Sequence, residues 1–375
     1  MPELTGWSVS RRELLRRAAF AGGVLALPSG LLAACGGDEG GAGTTGGNTG
    51  GGTGGGGGGT TPIRYQLDWI KNSQFAGFYI ADSEGWYADE GLEVDFLPGA
   101  DVASHEAVVA GGGAEIGTSS FLSRIVDAVN AGSDLVVVGA GLQQSPIGLM
   151  SMADNPIQTA QDILGKRIGL QEGSTSEIRL ILELNGLDPD NWTEVPVGYN
   201  PGPLLDGEVD GYYAYLTSQP LTFEKRGLVE GKDFFVVSFQ DLGWYQYGML
   251  AITKRSYLED KRDVVVGFMR ATVKGWEQAV ADPAQGVQLT MTVYGQDLGL
   301  DEETETKQLE AQLPLMQSEL TQAKGLYWMD LDLLAGPMYD ALRKGGRDTL
   351  PEPDSLVDVS VLEDAYGGKT SLLAG

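Results

Sequence analysis

Residues 65–91, YQLDWIKNSQFAGFYIADSEGWYADEG, constrain the fold of this chain more than any other stretch. YQLDWI reads as a short buried strand with one charge near its carboxyl end. A polar turn, Lys71 to Gln74, follows. Phe75, Phe78, Tyr79 and Trp86 then recur at helical spacing. Asp89, Glu90 and Gly91 lead into a second strand, LEVDFLP. Strand, helix and strand in that order predict a βαβ unit, and with it a mainly parallel sheet covered by helices. Ligands of such sheets bind beyond the carboxyl ends of the strands, where Asp68, Trp69, Asn72 and Phe75 fall. Trp69 and Phe75 could serve the core instead, since aromatic rings carry much of core burial. The Asp-Trp pair at a strand end, followed by a polar turn, favours a site.

The same alternation continues. AEIGTSS is a short strand running into a turn, so Ser119 and Ser120 fall between a strand and a helix N-terminus, where free N–H groups and hydroxyls suit a polar ligand atom. A plain helix cap is the other reading. DLVVVGAG is a buried strand. KRIGLQ, TEVPVGY, VDGYYAYL and DFFVVSF predict a second α/β unit, with GSTS before Glu177 as another helix start. GSTS is no P-loop, because no Gly-Lys-Ser/Thr follows. Leu142–Met152 and Gln246–Thr253 are expected to carry the chain from one unit to the other and back. His105 is expected to pack or cap on a helix face, and Asp330 and Asp332 to form a cap or a solvated face.

The first residues are a targeting segment. Ser10-Arg11-Arg12-Glu13-Leu14-Leu15-Arg16 matches the twin-arginine export pattern, a short apolar run follows, and Leu32-Ala33-Ala34-Cys35 is a lipobox. Residues 1–34 are therefore expected to be removed and Cys35 to be lipidated. Residues 35–61, holding 16 of the 56 glycines, are expected to be a flexible tether with almost nothing to bury.

The formal net charge of −27 lacks the basic footprint that nucleic-acid binding requires. It fits a protein of an extracytoplasmic space, without excluding an anionic ligand at a local site. One Cys and one His rule out an intrachain disulfide, a cysteine cluster and a multi-histidine metal site.

LDWIKNSQFAGFYIA followed by GWYADEGLEV resembles the opening of the solute-binding proteins grouped with thiamine-pyrimidine precursor binders. Their pattern runs L-D/N-W, a polar turn, His-x-G/P-x-Y-x-A, then G-x-F/Y-x-x-E-G-L-x-V. The chain departs from it at Phe75, where the family often has His. GEVDGYYAYLTSQP resembles a further family stretch, G-x-V-D-A…Y-x-x-x-E/Q-P, which supports Tyr215 and Gln219 as cleft residues. The resemblance covers most of residues 62–280. It implies an α/β periplasmic-binding-protein fold of type II: residues 62–148 plus 247–375 as one lobe, 149–246 as the other, and a cleft between them with two hinge crossings. It implies the substrate-binding component of an ABC importer, with a permease and an ATPase as partners, anchored at the outer face of the membrane through Cys35, and expected to be a monomer. The family has an enzyme branch that consumes its own His, with pyridoxal phosphate and iron. Ser119–Leu122 holds no His and there is no second Cys, so neither an enzyme nor a cofactor is expected.

The candidate ligand-binding residues are Asp68, Trp69, Asn72, Phe75, Tyr79, Ser119, Ser120, Gln143, Gln144, Glu172, Ser174, Tyr213, Tyr215, Gln219 and Tyr245. Flat rings with a few amides and carboxylates suit a planar, nitrogen-rich heterocycle. A thiamine pyrimidine precursor such as formylaminopyrimidine is the first expectation. Riboflavin is the second, and a sulfonate, nitrate or taurine, which would want more Arg, is a further alternative.

Overall fold

The computed structural model describes residues 60–373 except 101, 172 and 173. The export segment, Cys35, nearly all of the tether and Glu172 lie outside the described residues.

The first strand, β1 (Thr61–Gln66), begins in the last residue assigned to the tether and ends two residues before Asp68. The expected helix comes in pieces. A turn at Ser73–Phe75 leads into α1 (Ala76–Ser83), and Gly85, at φ 76°, breaks the helix before Trp86. β2 (Leu92–Leu97) completes the unit and pairs in parallel with β1 over its whole length. After α2 (His105–Ala110) come β3 (Ile116–Ser119), α3 (Leu122–Asn130) and β4 (Leu135–Leu142). β4 is buried at every position, as an unbroken apolar run in a covered strand should be.

The second unit repeats the plan. β5 (Ile147–Met152) enters it, followed by β6 (Arg167–Leu170), α4 (Thr175–Leu184), β7 (Thr193–Pro196), β8 (Gly211–Tyr215), α5 (Gln219–Glu224) and β9 (Phe234–Ser238). β10 (Gly248–Lys254) then lies back in the first sheet. The strand orders are β2-β1-β3-β10-β4 and β7-β6-β8-β5-β9. Each sheet thus holds, at the same place, the strand that adjoins a passage between the sheets, and that strand runs antiparallel to both neighbours. This corrects the expectation of a mainly parallel sheet: a chain that leaves a unit and returns to it must insert one reversed strand.

It also shortens the crossings. Ile147–Met152, read from sequence as part of a crossing, is an interior strand of the second sheet, and Gly248–Thr253 is an interior strand of the first. The sheet-to-sheet passages are residues 143–146 and 239–247. They are tied together, since Ser145 N–H donates to Gln246 O at 3.0 Å and Tyr245 Oη donates to Gln143 O at 2.9 Å.

The duplication extends to side chains. Arg64 of β1 clamps Glu115 with two guanidinium bonds and its own N–H, and reaches Gly112 O at 3.0 Å. Arg167 of β6 does the same to Asp210 and Gly207 O. In each unit the clamp fastens the turn before the third strand to the edge of the first.

α6 (Arg262–Ala281) covers the first sheet and buries Val265, Phe268, Met269 and Trp276. It crosses α1 where two glycines meet: a Cβ on Gly275 would stand 1.9 Å from Gly77 O, and one on Gly77 would stand 2.3 Å from the Trp276 ring. α7 (Glu302–Gln312) packs beside the turn at Ser73–Phe75. The C-terminal stretch does not stay with the first sheet. α8 (Tyr339–Lys344) packs on α4 of the second unit, while Arg347 pairs with Asp127 of α3 in the first. Asp330 caps the turn that follows it, accepting from the N–H groups of Asp332 and Leu333. Among the described residues no helix is long and apolar enough to cross a membrane.

Candidate functional site

The carboxyl ends of β1, β2 and β3 face those of β6, β7 and β8 across a cavity of about 500 Å³. Most of the lining residues come just past a strand's last ladder bond, while Tyr213 and Tyr215 lie within β8 itself. β1 delivers Asp68 and Trp69, β2 is followed by Gly99, Ala100, Val102 and Ala103, and β3 by Ser120 and Phe121. From the other side β6 delivers Gln171 and Ser174, β7 Val197 to Tyr199, and β8 Tyr213, Tyr215, Ser218 and Gln219. The volume lies within the range of small-molecule sites.

Asp68 is held by both of its oxygens. Ser120 Oγ donates to Oδ2, and Gln74 Nε2 donates more weakly to Oδ1 at 3.4 Å. The loop around it is fixed, because Gly99 N–H donates to Trp69 O at 2.9 Å and only a glycine fits there: a Cβ would stand 2.1 Å from Leu67 O. Burial raises the Asp68 carboxyl above its ordinary range, against the pull of His105 and the Ser120 bond. His105 Nε2 donates to Gly99 O at 3.1 Å. Its ring lines the cavity wall, which the expectation of a packing or capping role did not include. On the facing side Gln219 Oε1 accepts from Tyr215 N–H at 2.8 Å, which leaves its NH2 as a donor toward the cavity. The Tyr213 and Tyr215 hydroxyls are pushed well above the ordinary phenol range by burial, Tyr215 also by the Asp68 charge. Both therefore stay protonated.

Among the described residues Arg124 is the one arginine of the cavity wall. Its guanidinium lies 4.3 Å from the Phe121 ring centre and 3.9 Å from Glu177 of the opposite unit. Glu177 is buried, and burial raises its carboxyl while Arg124 opposes the rise. At the mouth Trp69 and Tyr199 meet ring against ring, centroids 5.4 Å apart and planes inclined by 42°.

Seven of the expected site residues line this cavity: Asp68, Trp69, Ser120, Ser174, Tyr213, Tyr215 and Gln219. The remaining described ones do not, for separate reasons. Phe75, closing the turn before α1, and Tyr79, on α1, are both wholly buried, Phe75 against Phe78 and Tyr79 stacked on Tyr294 and edge-on to Phe96 of β2. The helical spacing that made them conspicuous is the spacing of a core face. Asn72 is buried beneath the loop, its carbonyl accepting from Phe75 N–H. Ser119 points away from the cavity, as the side chain before Ser120 must in an extended segment; its Oγ donates to Glu106 Oε1 at 2.5 Å. Gln143, Gln144 and Tyr245 belong to the passages between the sheets. Gln143 is fully buried there, donating to Ala140 O and Trp328 O, and Gln144 is exposed. Sequence reasoning missed Gln74, Arg124, Gln171, Tyr199 and Ser218. Tyr199 could have been found by taking the strand-end rule to TEVPVGY. Arg124 carried no signal, because it sits inside a helix.

The model of the NMT1/THI5-like family matches residues 72–286. The chain belongs to that family. It is 25% identical to the formylaminopyrimidine-binding protein of Halalkalibacterium halodurans, over 82% of this chain and 90% of that one. It is also 25% identical to the riboflavin-binding protein RibY of Chloroflexus aurantiacus, over 70% and 75%. A Schizosaccharomyces pombe protein named 4-amino-5-hydroxymethyl-2-methylpyrimidine phosphate synthase is likewise 25% identical, over 60% of this chain and 68% of that one. Among solved structures, the periplasmic aliphatic sulphonate binding protein SsuA of Escherichia coli superposes with a TM-score of 0.58 at 17% identity, covering 82% of this chain and 99% of its own. The two sheets and their reversed strands are thus a periplasmic-binding-protein fold.

Proposed function

We propose that this chain is a solute-binding protein that captures a compact, planar, amino-bearing heterocycle and presents it to an ABC permease. A pyrimidine precursor of thiamine is the ligand class it fits best. One observation carries this reading. The cavity sets a buried carboxylate, Asp68, in one wall and the Tyr215 hydroxyl and the Gln219 amide in the other, while its arginine is engaged with Glu177. A ring with an exocyclic amino group and an adjacent ring nitrogen offers donors to Asp68 and acceptors to Gln219, with Trp69 and Tyr215 against its faces. A sulfonate or nitrate would meet a carboxylate and one shared guanidinium, a poor setting for an anion. Riboflavin is the second reading, because a relative carries that name and the volume admits it.

Binding rather than synthesis is supported by residues 119–122, Ser-Ser-Phe-Leu, which hold no His where the enzyme branch is expected to carry one. The protein is further proposed to work outside the cytoplasm, exported through Arg11 and Arg12, anchored at Cys35, and closing over its ligand by rotation about residues 143–146 and 239–247.

Calorimetry and thermal shift with formylaminopyrimidine, riboflavin, taurine and nitrate test this directly. Saturable one-to-one binding of the pyrimidine without turnover is expected, with stabilisation of about 2.7 kcal/mol at a hundred times its Kd. Tighter binding of taurine or nitrate, or conversion of the pyrimidine without a stoichiometric complex, would overturn it. Cys35→Ala should abolish lipidation and membrane retention.

A further inference from the structure

Tyr199 has a position that none of the other cavity residues shares. It comes from the second unit, yet its ring rests on Trp69 of the first. It remains 37% exposed while lining the cavity, so one edge faces the interior and the other faces solvent. Its placement is built from both ends. The Tyr199 hydroxyl is bonded to Ser218 Oγ at the start of α5. Next to it, Gly198 O accepts from Tyr212 Oη at 2.5 Å and from Gln171 Nε2 at 3.3 Å. Val197 N–H donates to Leu170 O at 3.0 Å. Swinging the Tyr199 ring aside would break its hydroxyl bond to Ser218. Its contact with Trp69 opens when the two units separate.

We infer that Tyr199 is a specificity-determining residue: its ring bars the mouth of the cavity and admits to the closed state only ligands that fit wholly behind it. A single-ring heterocycle with short substituents lets Trp69 and Tyr199 meet. A ligand with a long side chain, such as the polyol chain of a flavin, must thread the mouth and hold the rings apart. This inference rests on the proposed function for its ligands, but the barrier itself is a property of the protein.

Two measurements test it. In the first, Ser174→Cys is placed on a Cys35→Ala background, so that the only thiol lies in the cavity wall, and is labelled in the ligand-free full chain, with and without the further change Tyr199→Ala. A small methanethiosulfonate should react at similar rates in the two chains, and a fluorescein maleimide should react at least several-fold faster in the one that carries Tyr199→Ala. Equal maleimide rates in a ligand-free chain that solution scattering shows to be as compact as the liganded one would overturn the barrier whatever the ligand proves to be; in a more open chain the second measurement decides it. In the second, dissociation of formylaminopyrimidine should be roughly 3- to 10-fold faster in Tyr199→Ala, the scale of one lost aromatic pair, and affinity for riboflavin relative to the pyrimidine should rise. Tyr199→Phe, which keeps the ring, should keep the size preference. An unchanged preference in Tyr199→Ala, with the pyrimidine still bound, would sink the inference and leave the proposed function standing. Loss of binding by the wild-type chain would do the reverse, and the labelling rates would still decide the barrier.

Discussion

Ser120 Oγ donates to Asp68 Oδ2 from the neighbouring strand end, so the carboxylate of the cavity is oriented by a residue of a different loop. Burying that carboxylate costs stability that function can use. The Asp68 carboxyl titrates above its ordinary range in the folded chain. The folded state therefore holds its proton more tightly than the unfolded state does, and this group's contribution falls as pH rises through the folded value. Asp68→Asn should stabilise the ligand-free protein at pH 7 by an amount that shrinks as pH falls and is gone below the unfolded carboxyl's ordinary value of about 3.9, where both states are protonated. About 1 kcal/mol would raise Tm by roughly 2–4 °C. The same variant should bind the aminopyrimidine weakly, and the wild type should lose affinity as pH falls through the Asp68 value. Melting curves and titrations from pH 4 to 8 check both. Equal affinity in Asp68→Asn at pH 7 would remove the carboxylate from ligand recognition.

Phe75 separates core from cleft. Its full burial beside Phe78 puts Phe75→Ala at about 3–5 kcal/mol of lost stability. Phe75→Leu should be milder and leave ligand affinity as it was. Denaturant unfolding and calorimetry on the two variants give the answer; a large affinity loss in a well-folded Phe75→Leu protein would put the ring back in the site.

Lys225, just past α5, pairs with Asp301 at the start of α7, across the two units. One turn further along α7, Glu305 accepts from Ser73 N–H at 2.8 Å and its carbonyl accepts from Ser73 Oγ at 2.9 Å, in the turn that follows Trp69. An ion pair at the rim is thus joined through one helix to the ligand loop. Lys225 and the Thr304 bonds hold the Asp301 carboxyl down to about 2. The pair consequently survives below the range in which Asp68 takes up its proton, and is lost only as pH falls through that low value. Lys225→Met should speed ligand release and enlarge the ligand-free protein in solution scattering. Both differences from wild type should shrink in 0.5 M salt, which screens an exposed pair. Unchanged release at low salt would mean that the pair does not hold the closed form.

Much of this architecture is legible in the chain because period and punctuation agree. The run from Tyr65 to Leu97 alternates strand, helix and strand, and the strand-end rule then points at Asp68, Trp69, Ser120 and Tyr215 without any contact being known. Two kinds of information are not local. Helical spacing at Phe75 and Tyr79 marks a buried face but cannot say whether a sheet or a ligand covers it. The reversal of β5 and β10 is equally hidden, since a strand buried on both faces reads the same in either direction. Tyr199 and Arg124 enter the site only because the second unit folds over the first.

Tyr245 and Gln143 join the two passages between the sheets, and their bond offers a test of hinge motion away from the ligand. Tyr245 Oη donates to Gln143 O at 2.9 Å, and neither side chain lines the cavity. A hydrogen bond kept in both the open and closed forms shifts no equilibrium between them, whereas one made only in the closed form favours closure by its net worth, about 0.5–1.5 kcal/mol. The proposed rotation about these two segments would turn the backbone at residue 143 relative to residue 245, and on that reading the bond is made only in the closed form. Tyr245→Phe should therefore weaken ligand binding by that amount, chiefly through faster release, while the fold and the pH dependence set by Asp68 stay as they are. Stopped-flow release rates and a pH titration of the variant measure this together. Identical release rates in wild type and Tyr245→Phe would show that the contact rides unchanged through the motion, and would place the hinge elsewhere in residues 239–247.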